Sequence, residues 1–171
     1  MKNPTDFLEV PTSPSFQVLV SDPGAADTLA RGWADNGLLV RIVRGAKMRT
    51  TTAAMDEMAA ALQFPYYFSE NWAALDDCLS DMDWLLPAPA IVLLVRNAGQ
   101  VLADEDPHQL VILARTLADA INEYAAPVAL GEWWDRPAVP FHVVLQADEH
   151  GQEALVARWE AAGAQTSVRK P

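Results

Sequence analysis

Residues 90–95 read Ala-Ile-Val-Leu-Leu-Val, an uninterrupted aliphatic run preceded by Pro87 and Pro89. A strand with one wet face alternates apolar and polar residues, whereas a run without alternation must be covered on both faces. Strands of that kind belong to parallel sheets, whose crossover connections are helices. The rest of the chain supplies both elements. Residues 16–20 (Phe-Gln-Val-Leu-Val), 38–43 and 141–145 are further strand candidates, and residues 166–169 form a short last one. Helical spacing predicts residues 25–36, with Leu29 and Trp33 on one face and Gly37 ending it. It predicts a second helix to Leu62, capped by Thr50, Thr51 or Thr52, with Asp56 and Glu57 in its early turns and Met55, Met58, Ala59 and Leu62 inward. A third covers residues 70–82 with Ser69 as its cap, a fourth residues 107–124, and a fifth residues 153–162. Residues 21–24 (Ser-Asp-Pro-Gly) read as a turn, and the Pro- and Thr-rich residues 1–15 as a mobile arm. The expected fold is α/β: a small, mostly parallel sheet flanked by helices, with an extra N-terminal strand–helix and a C-terminal helix.

At 171 residues the chain is long enough for one domain with a real core. No repeat or interdomain linker divides it. Its single cysteine, Cys78, excludes an intramolecular disulfide and fits a reducing compartment. The longest apolar run falls far short of the roughly 20 residues that a membrane helix needs, and no leader pattern opens the chain. A cytoplasmic protein that makes no membrane contact is expected.

The formal net charge is −11. Phosphate binding needs clustered Lys and Arg, so direct nucleic-acid binding is disfavoured and a cationic protein partner is favoured. The charge is also local. Residues 50–95 contain no Lys or Arg, yet carry Asp56, Glu57, Glu70, Asp76, Asp77, Asp81 and Asp83. These carboxylates are expected to lack internal counter-ions and to steer a basic partner. Within residues 69–84, SENWAALDDCLSDMDW, a helical wheel at about 100° per residue puts Trp72, Leu75, Cys78, Leu79 and Met82 on one stripe facing the core. Ala73, Asp77, Ser80 and Asp81 fall opposite, flanked by Asp76 and Asp83. That outer face is a poor helix surface: Asp is a weak helix former, Asp77 and Asp81 are like charges at i,i+4, and both lie toward the negative end of the helix dipole. A solvated acidic face with no further role is one explanation. A binding face is the other, since violations of local rules concentrate at functional sites.

The run Pro65-Tyr-Tyr-Phe-Ser-Glu-Asn-Trp-Ala-Ala-Leu-Asp-Asp-Cys-Leu79 resembles the signature segment of the barstar family, intracellular inhibitors of ribonucleases, whose pattern is roughly P-x-Y-[YF]-G-x-N-[LW]-x-A-[LF]-x-D-x-[LI]. The strand 40–45 followed by the helix to Leu62 resembles that family's opening, and the resemblance reaches from residue 38 to 145. It implies residues 1–37 as an arm and strand–helix extension, 38–146 as a barstar-like domain, and 147–171 as a helix/strand extension packed on the same domain. It also implies that the third helix and the loop before it plug a nuclease active site. Asp77 matches the acidic residue that occupies a substrate-phosphate position, Tyr67 the contacting tyrosine and Asn71 the contacting asparagine. A carboxylate suits that role because it accepts bidentate hydrogen bonds from Arg. Four positions depart: Ala73 stands for a second contacting Asp, Asp76 for a Trp, Met82 for an interface aromatic and Ser69 for a Gly. Asp76 and Asp81 are expected to restore the charge missing at Ala73.

The expected partner is therefore a basic ribonuclease or toxin protein, met through Tyr67, Asn71, Ala73, Asp76, Asp77, Ser80 and Asp81, with the chain as antitoxin or immunity protein. The alternative is an acidic adaptor that binds a basic non-nuclease protein. Neither needs a cofactor, because shape and charge suffice. Catalysis is not expected. Cys78 sits on the apolar stripe and reads as a structural thiol. His108, His142 and His150 lack metal-ligand spacing, and Asp76 and Asp77 diverge on a helix. Residues 21–25 follow a strand and open a helix, a place for an anion, but a plain turn explains them as well. Trp133 and Trp134 either pin their loop to the core or form an exposed anchor.

Overall fold

The computed structural model describes residues 3–169, so the first two residues of the expected arm and the last two of the chain lie outside it. The strands are β1 (Phe16–Val20), β2 (Leu39–Arg44), β3 (Ile91–Arg96), β4 (Phe141–Ala147) and β5 (Thr166–Arg169). The helices are α1 (Pro23–Asp35), α2 (Thr51–Leu62), α3 (Trp72–Ser80), α4 (Pro107–Ala125) and α5 (Gln152–Ala161). The five strands form one sheet in the order β2-β3-β4-β1-β5, and every pairing is parallel. The sheet is α/β with helices on both faces, as the aliphatic run demanded.

That run occupies β3, an interior strand. Ile91 lies in register between Leu39 and Phe141, and Leu93 between Arg41 and Val143. The period-2 alternation sends Ile91, Leu93 and Val95 into the larger core, with Leu75 and Leu79 of α3, Leu113 and Leu117 of α4, Met55 and Met58 of α2 and Trp159 of α5. Val92 and Leu94 enter the smaller core on the other face, with Ala26, Ala30 and Trp33 of α1. Both kinds of residue are apolar because neither face sees water. Beyond β4, β1 and β5 continue the sheet with strands from the two ends of the sequence.

Two expectations about the N-terminal part are corrected. The arm is anchored: Pro4–Leu8 is a 3-10 turn, and Phe7, 1% exposed, packs edge-on against Trp33 at 4.8 Å and against His142 at 5.2 Å. Burying one phenyl ring holds a segment that its composition marks as polar. Asp22 and Pro23 are no free turn either. Asp22 caps α1, its Oδ1 accepting from Ala25 N at 2.9 Å, and Pro23 takes the first helical position, where its missing N–H costs nothing. The capping carboxylate fills the place that an anion would need.

Candidate functional site

The third helix starts later and ends sooner than its spacing implies. Glu70 has φ +52, a left-handed conformation that a helix cannot contain, so Ser69 is not the cap. Asn71 is: its Oδ1 accepts from Ala74 N at 2.9 Å, while its Nδ2 donates to Ser69 O at 3.3 Å. At the far end Asp81 closes the last turn, its N–H donating to Asp77 O at 3.1 Å. The chain then leaves helical geometry, and Met82 N donates instead to the Tyr124 hydroxyl at 2.7 Å.

The helix is short, and it is firmly mounted. Leu75, Cys78, Leu79 and Met82 are buried on its underside. Met82 therefore belongs to the core and cannot stand in for an interface aromatic. Trp72 is half-buried and donates its indole N–H to Gln109 Oε1 at 2.8 Å. Together with the Met82–Tyr124 bond this ties both ends of α3 to α4. The preceding connection is supported from below by rings: Phe64 stands edge-on to Phe68 at 4.9 Å and to Trp84 at 6.2 Å, and Trp84 Nε1 donates to Leu62 O at 2.9 Å.

On this mount the expected site residues fall as follows. Ala73, Asp76 and Asp77 are exposed on α3, Ser80 is half-buried, and the two caps Asn71 and Asp81 are exposed. Tyr67 lies ahead of the helix on the connection, 63% exposed, with Tyr66 as its edge-on ring neighbour at 5.7 Å. Six of the seven thus share one short helix and its caps. Asn71 spends both ends of its amide on local bonds, so its first duty is structural.

The electrostatics are those of unneutralised acids. Among the described residues, no ion pair reaches Asp76, Asp77, Asp81 or Asp83. Partial burial raises the Asp76 carboxyl above its ordinary range, and the charges of Asp119, Asp77 and Glu123 add to this, with Arg115 opposing weakly. Asp119 and Glu123 are on α4, so the negative field extends beyond the residues that sequence spacing singled out, although Asp119 is itself ion-paired with Arg115 at 3.6 Å. Burial also raises Asp83, and Asp81 reinforces it by charge and by a hydrogen bond, with the charge of Arg136 opposing. The Cys78 thiol is pushed up by burial, then by Asp77 and Asp81, which disfavours the thiolate and makes it a poor nucleophile. Glu57 corrects the count of unpaired acids. It is buried, and its carboxylate accepts from Arg44 Nε and Nη2 at 2.7 Å each and from Arg44 N at 2.9 Å. Its counter-ion comes from β2, just outside the cation-free stretch.

Sequence reasoning missed the two bonds that hold α3, from Gln109 and Tyr124. Only the general need of a buried indole or main-chain N–H for an acceptor pointed toward them. Trp133 and Trp134, left open by the sequence, are 88% and 43% exposed and stand edge-on to each other at 5.3 Å. Among the described residues no group of His, Cys, Asp and Glu is arranged to hold a metal ion, and no helix is long and apolar enough to cross a membrane.

Solved structures to which the chain is similar include the following. One is a chain of the Drosophila ORC bound to DNA, at 14% identity and TM-score 0.50, covering 91% of this chain and 79% of that one. Another is a Walker-type ATPase of Pyrococcus abyssi, at 10% identity and TM-score 0.53, covering 94% and 49%. A third is a chain of the Drosophila ORC bound to AT-rich DNA and Cdc6, at 14% identity and TM-score 0.47, covering 91% and 48%. This chain spans about half the length of the last two, and at these identities the likeness is one of fold alone. No curated protein matches. The family model described as Barstar (barnase inhibitor) matches residues 38–146, from the approach to β2 through α3 to the end of β4, and leaves β1, α1, α5 and β5 outside. With that match spanning the acidic helix, its mount and three of the five strands, the chain belongs to the barstar family.

Proposed function

We propose that the chain inhibits a basic ribonuclease by laying the outer face of α3 and the Tyr67 connection over the enzyme's active site, as an antitoxin or immunity protein acting in the cytoplasm. The observation that carries the reading is Asp77: exposed at mid-helix, without an ion pair, on a helix tied at both ends to α4. A carboxylate so held presents two oxygens with phosphate-like acceptor geometry to the Arg, Lys and His groups of a nuclease. Preorganisation spares the complex the cost of ordering that side chain's support. Asp76, Asp81 and Glu123 provide the surrounding field that speeds encounter with a cationic surface. Tyr67 supplies an exposed ring of the kind enriched at interface anchors. Asp76 and Asp81 take over the charge absent at Ala73. The mechanism is occlusion: it needs no cofactor and no catalytic group of this chain.

The test is stoichiometric titration of basic ribonucleases, barnase and the product of a neighbouring reading frame among them, with RNA cleavage as readout. Complete inhibition near one equivalent is expected, and Asp77→Ala should weaken it at least tenfold, about 1.4 kcal/mol, with unchanged circular dichroism. Equal inhibition by wild type and Asp77→Ala would refute the role of Asp77. Unchanged affinity after Asp76→Lys and Asp81→Lys, made singly, would remove those two from the interface. Tight binding of a basic protein with no nuclease activity would favour the adaptor reading instead.

A further inference from the structure

A second recognition feature adjoins the acidic helix. The loop between α4 and β4 and the segment after α3 enclose a cavity of about 320 Å³, lined by Asp83, Leu86, Pro87, Trp133, Trp134 and Arg136 among others. Its indole walls are exposed and perpendicular to each other. Its charged groups differ in how far they are already engaged. Arg136 donates to the carbonyls of Ala126, Pro137 and Glu123 and lies over the Tyr124 ring at 4.4 Å. Asp135 accepts from Leu130 N and Gly131 N at 2.9 and 2.8 Å, which holds the loop in shape. Among the described residues no ion pair reaches Asp83; burial and Asp81 raise its carboxyl above the ordinary range, and the charge of Arg136 opposes them without a direct contact. Asp81 is also the cap of α3. The cavity therefore adjoins the acidic face through Asp83, and the cation it already holds, Arg136, is engaged by three carbonyls and the Tyr124 ring.

Resting on the reading that a basic protein docks on α3, we propose that this cavity receives an arginine side chain of that protein, its guanidinium stacked on the Trp133 indole, edge-on to Trp134, and paired with Asp83. The chemistry selects this occupant. An apolar side chain would leave Asp83 unpaired and further desolvated. A lysine ammonium could pair with the carboxylate, but it is compact, strongly hydrated and unable to stack. A planar guanidinium does both, lying on an aromatic face while donating in its plane to a carboxylate. Binding there would neutralise the charge that Asp81 and Asp83 impose on each other. It would also add a desolvated aromatic anchor beside the mid-helix contact, the arrangement in which interface residues contribute most.

The experiment uses the full chain, labelled with nitrogen-15, titrated with N-acetyl-arginine amide, N-acetyl-lysine amide and the neutral isostere N-acetyl-citrulline amide. The six indole N–H signals are the readout, with those of Trp133 and Trp134 assigned by Phe substitution. The arginine probe should shift both signals saturably. The lysine probe should bind at least threefold more weakly, and citrulline should give no saturable shift. Asp83→Asn should weaken the arginine probe at least threefold, and Trp133→Ala should abolish its effect; both positions are exposed, so the fold survives. No saturable shift with arginine, an equal response to citrulline or lysine, or indifference to Trp133→Ala would overturn the proposal. Such a failure leaves the Asp77 reading standing, since Asp77 lines no part of this cavity. Loss of the Asp77 effect on nuclease inhibition, with arginine binding intact, would point to the opposite fault.

Discussion

Two sets of carboxylates in this molecule behave in opposite ways. Where α2 meets β2, Glu57 is buried and gripped by Arg44. Nearby, Asp104 is held by Arg49 through two side-chain bonds. Hydrogen bonds from these guanidinium groups lower both carboxyls below their ordinary values. On α3 and just beyond it, Asp76 and Asp83 have no ion-pair partner among the described residues, and burial with neighbouring negative charge raises both. The same functional group thus stabilises the fold in one place and burdens it in the other. A chain that places cations beside some of its acids and withholds them from a ridge of others has spent stability on a surface that an outside cation can complete. The first set is structural, and the second reads as half of an interface.

The sharpest way to break this contrast is a charge reversal at the centre of the ridge. Asp77→Lys should reduce affinity for the cognate nuclease at least hundredfold, about 2.7 kcal/mol, and leave the Tm of the free protein close to wild type. A large fall in Tm would move Asp77 into the structural class. Next in size is the mount itself. Tyr124→Phe keeps the buried ring but removes the acceptor of the Met82 N–H. The hydroxyl is sequestered enough that its pKa is pushed up to about 12, chiefly by burial. An orphaned buried N–H costs about 1–3 kcal/mol, so the urea midpoint should drop with little change in the slope of the transition. An unchanged midpoint would mean that α3 is held by packing alone.

What could be read from the sequence divides along the same line between local and distant causes. The aliphatic run at β3 dictated a two-faced sheet because six successive apolar side chains have no other home. The limits of β1 follow directly from Phe16 to Val20, and the inward stripe of α3 follows from helical spacing, since both depend on neighbours in sequence. The failures involve partners far along the chain. Phe7 is anchored by Trp33 and His142, which no pattern within residues 1–15 announces. Glu57 finds Arg44 thirteen residues back, across a strand–helix crossover. Asn71 displaces Ser69 as the cap because Glu70 adopts a left-handed backbone, a choice invisible in residue type. For the site, the acids of α3 were legible as a violation of helix rules, but Asp119 and Glu123 were hidden on α4 among ordinary surface charges.

The structural carboxylates can be probed by pH. Glu57 titrates below its usual value of 4.5 because the Arg44 guanidinium and main-chain N–H bond its charged form. A lowered folded pKa contributes stability that is fully present above the unfolded value and is lost as pH falls through the folded one. Glu57→Gln should therefore lower the Tm by several degrees at pH 7. The gap to wild type should narrow from about pH 4.5 downward, and nuclease inhibition by the folded variant should persist. A pH-independent gap would assign the loss to shape rather than charge.

The smallest effect has the opposite sign and is the more telling for that reason. Asp76 is raised above its ordinary value of 3.8, so its protonated form is the one the fold prefers. The stability this supplies is present at pH below about 4 and is lost as pH rises through the folded value. At pH 7 the ionised carboxylate is a net burden. Asp76→Asn removes that burden. Because the side chain is exposed and solvent screens its neighbours, the gain should be only a few tenths of a kcal/mol, about a degree in Tm, vanishing in acid. The same variant should associate with a basic partner more slowly, most visibly at low ionic strength, since one charge of the steering field is gone. A residue whose removal steadies the free protein and slows its capture of a partner is kept for the partner. If Asp76→Asn instead lowered the Tm at pH 7, the ridge would belong with Glu57, and the distinction between the two sets of acids would collapse.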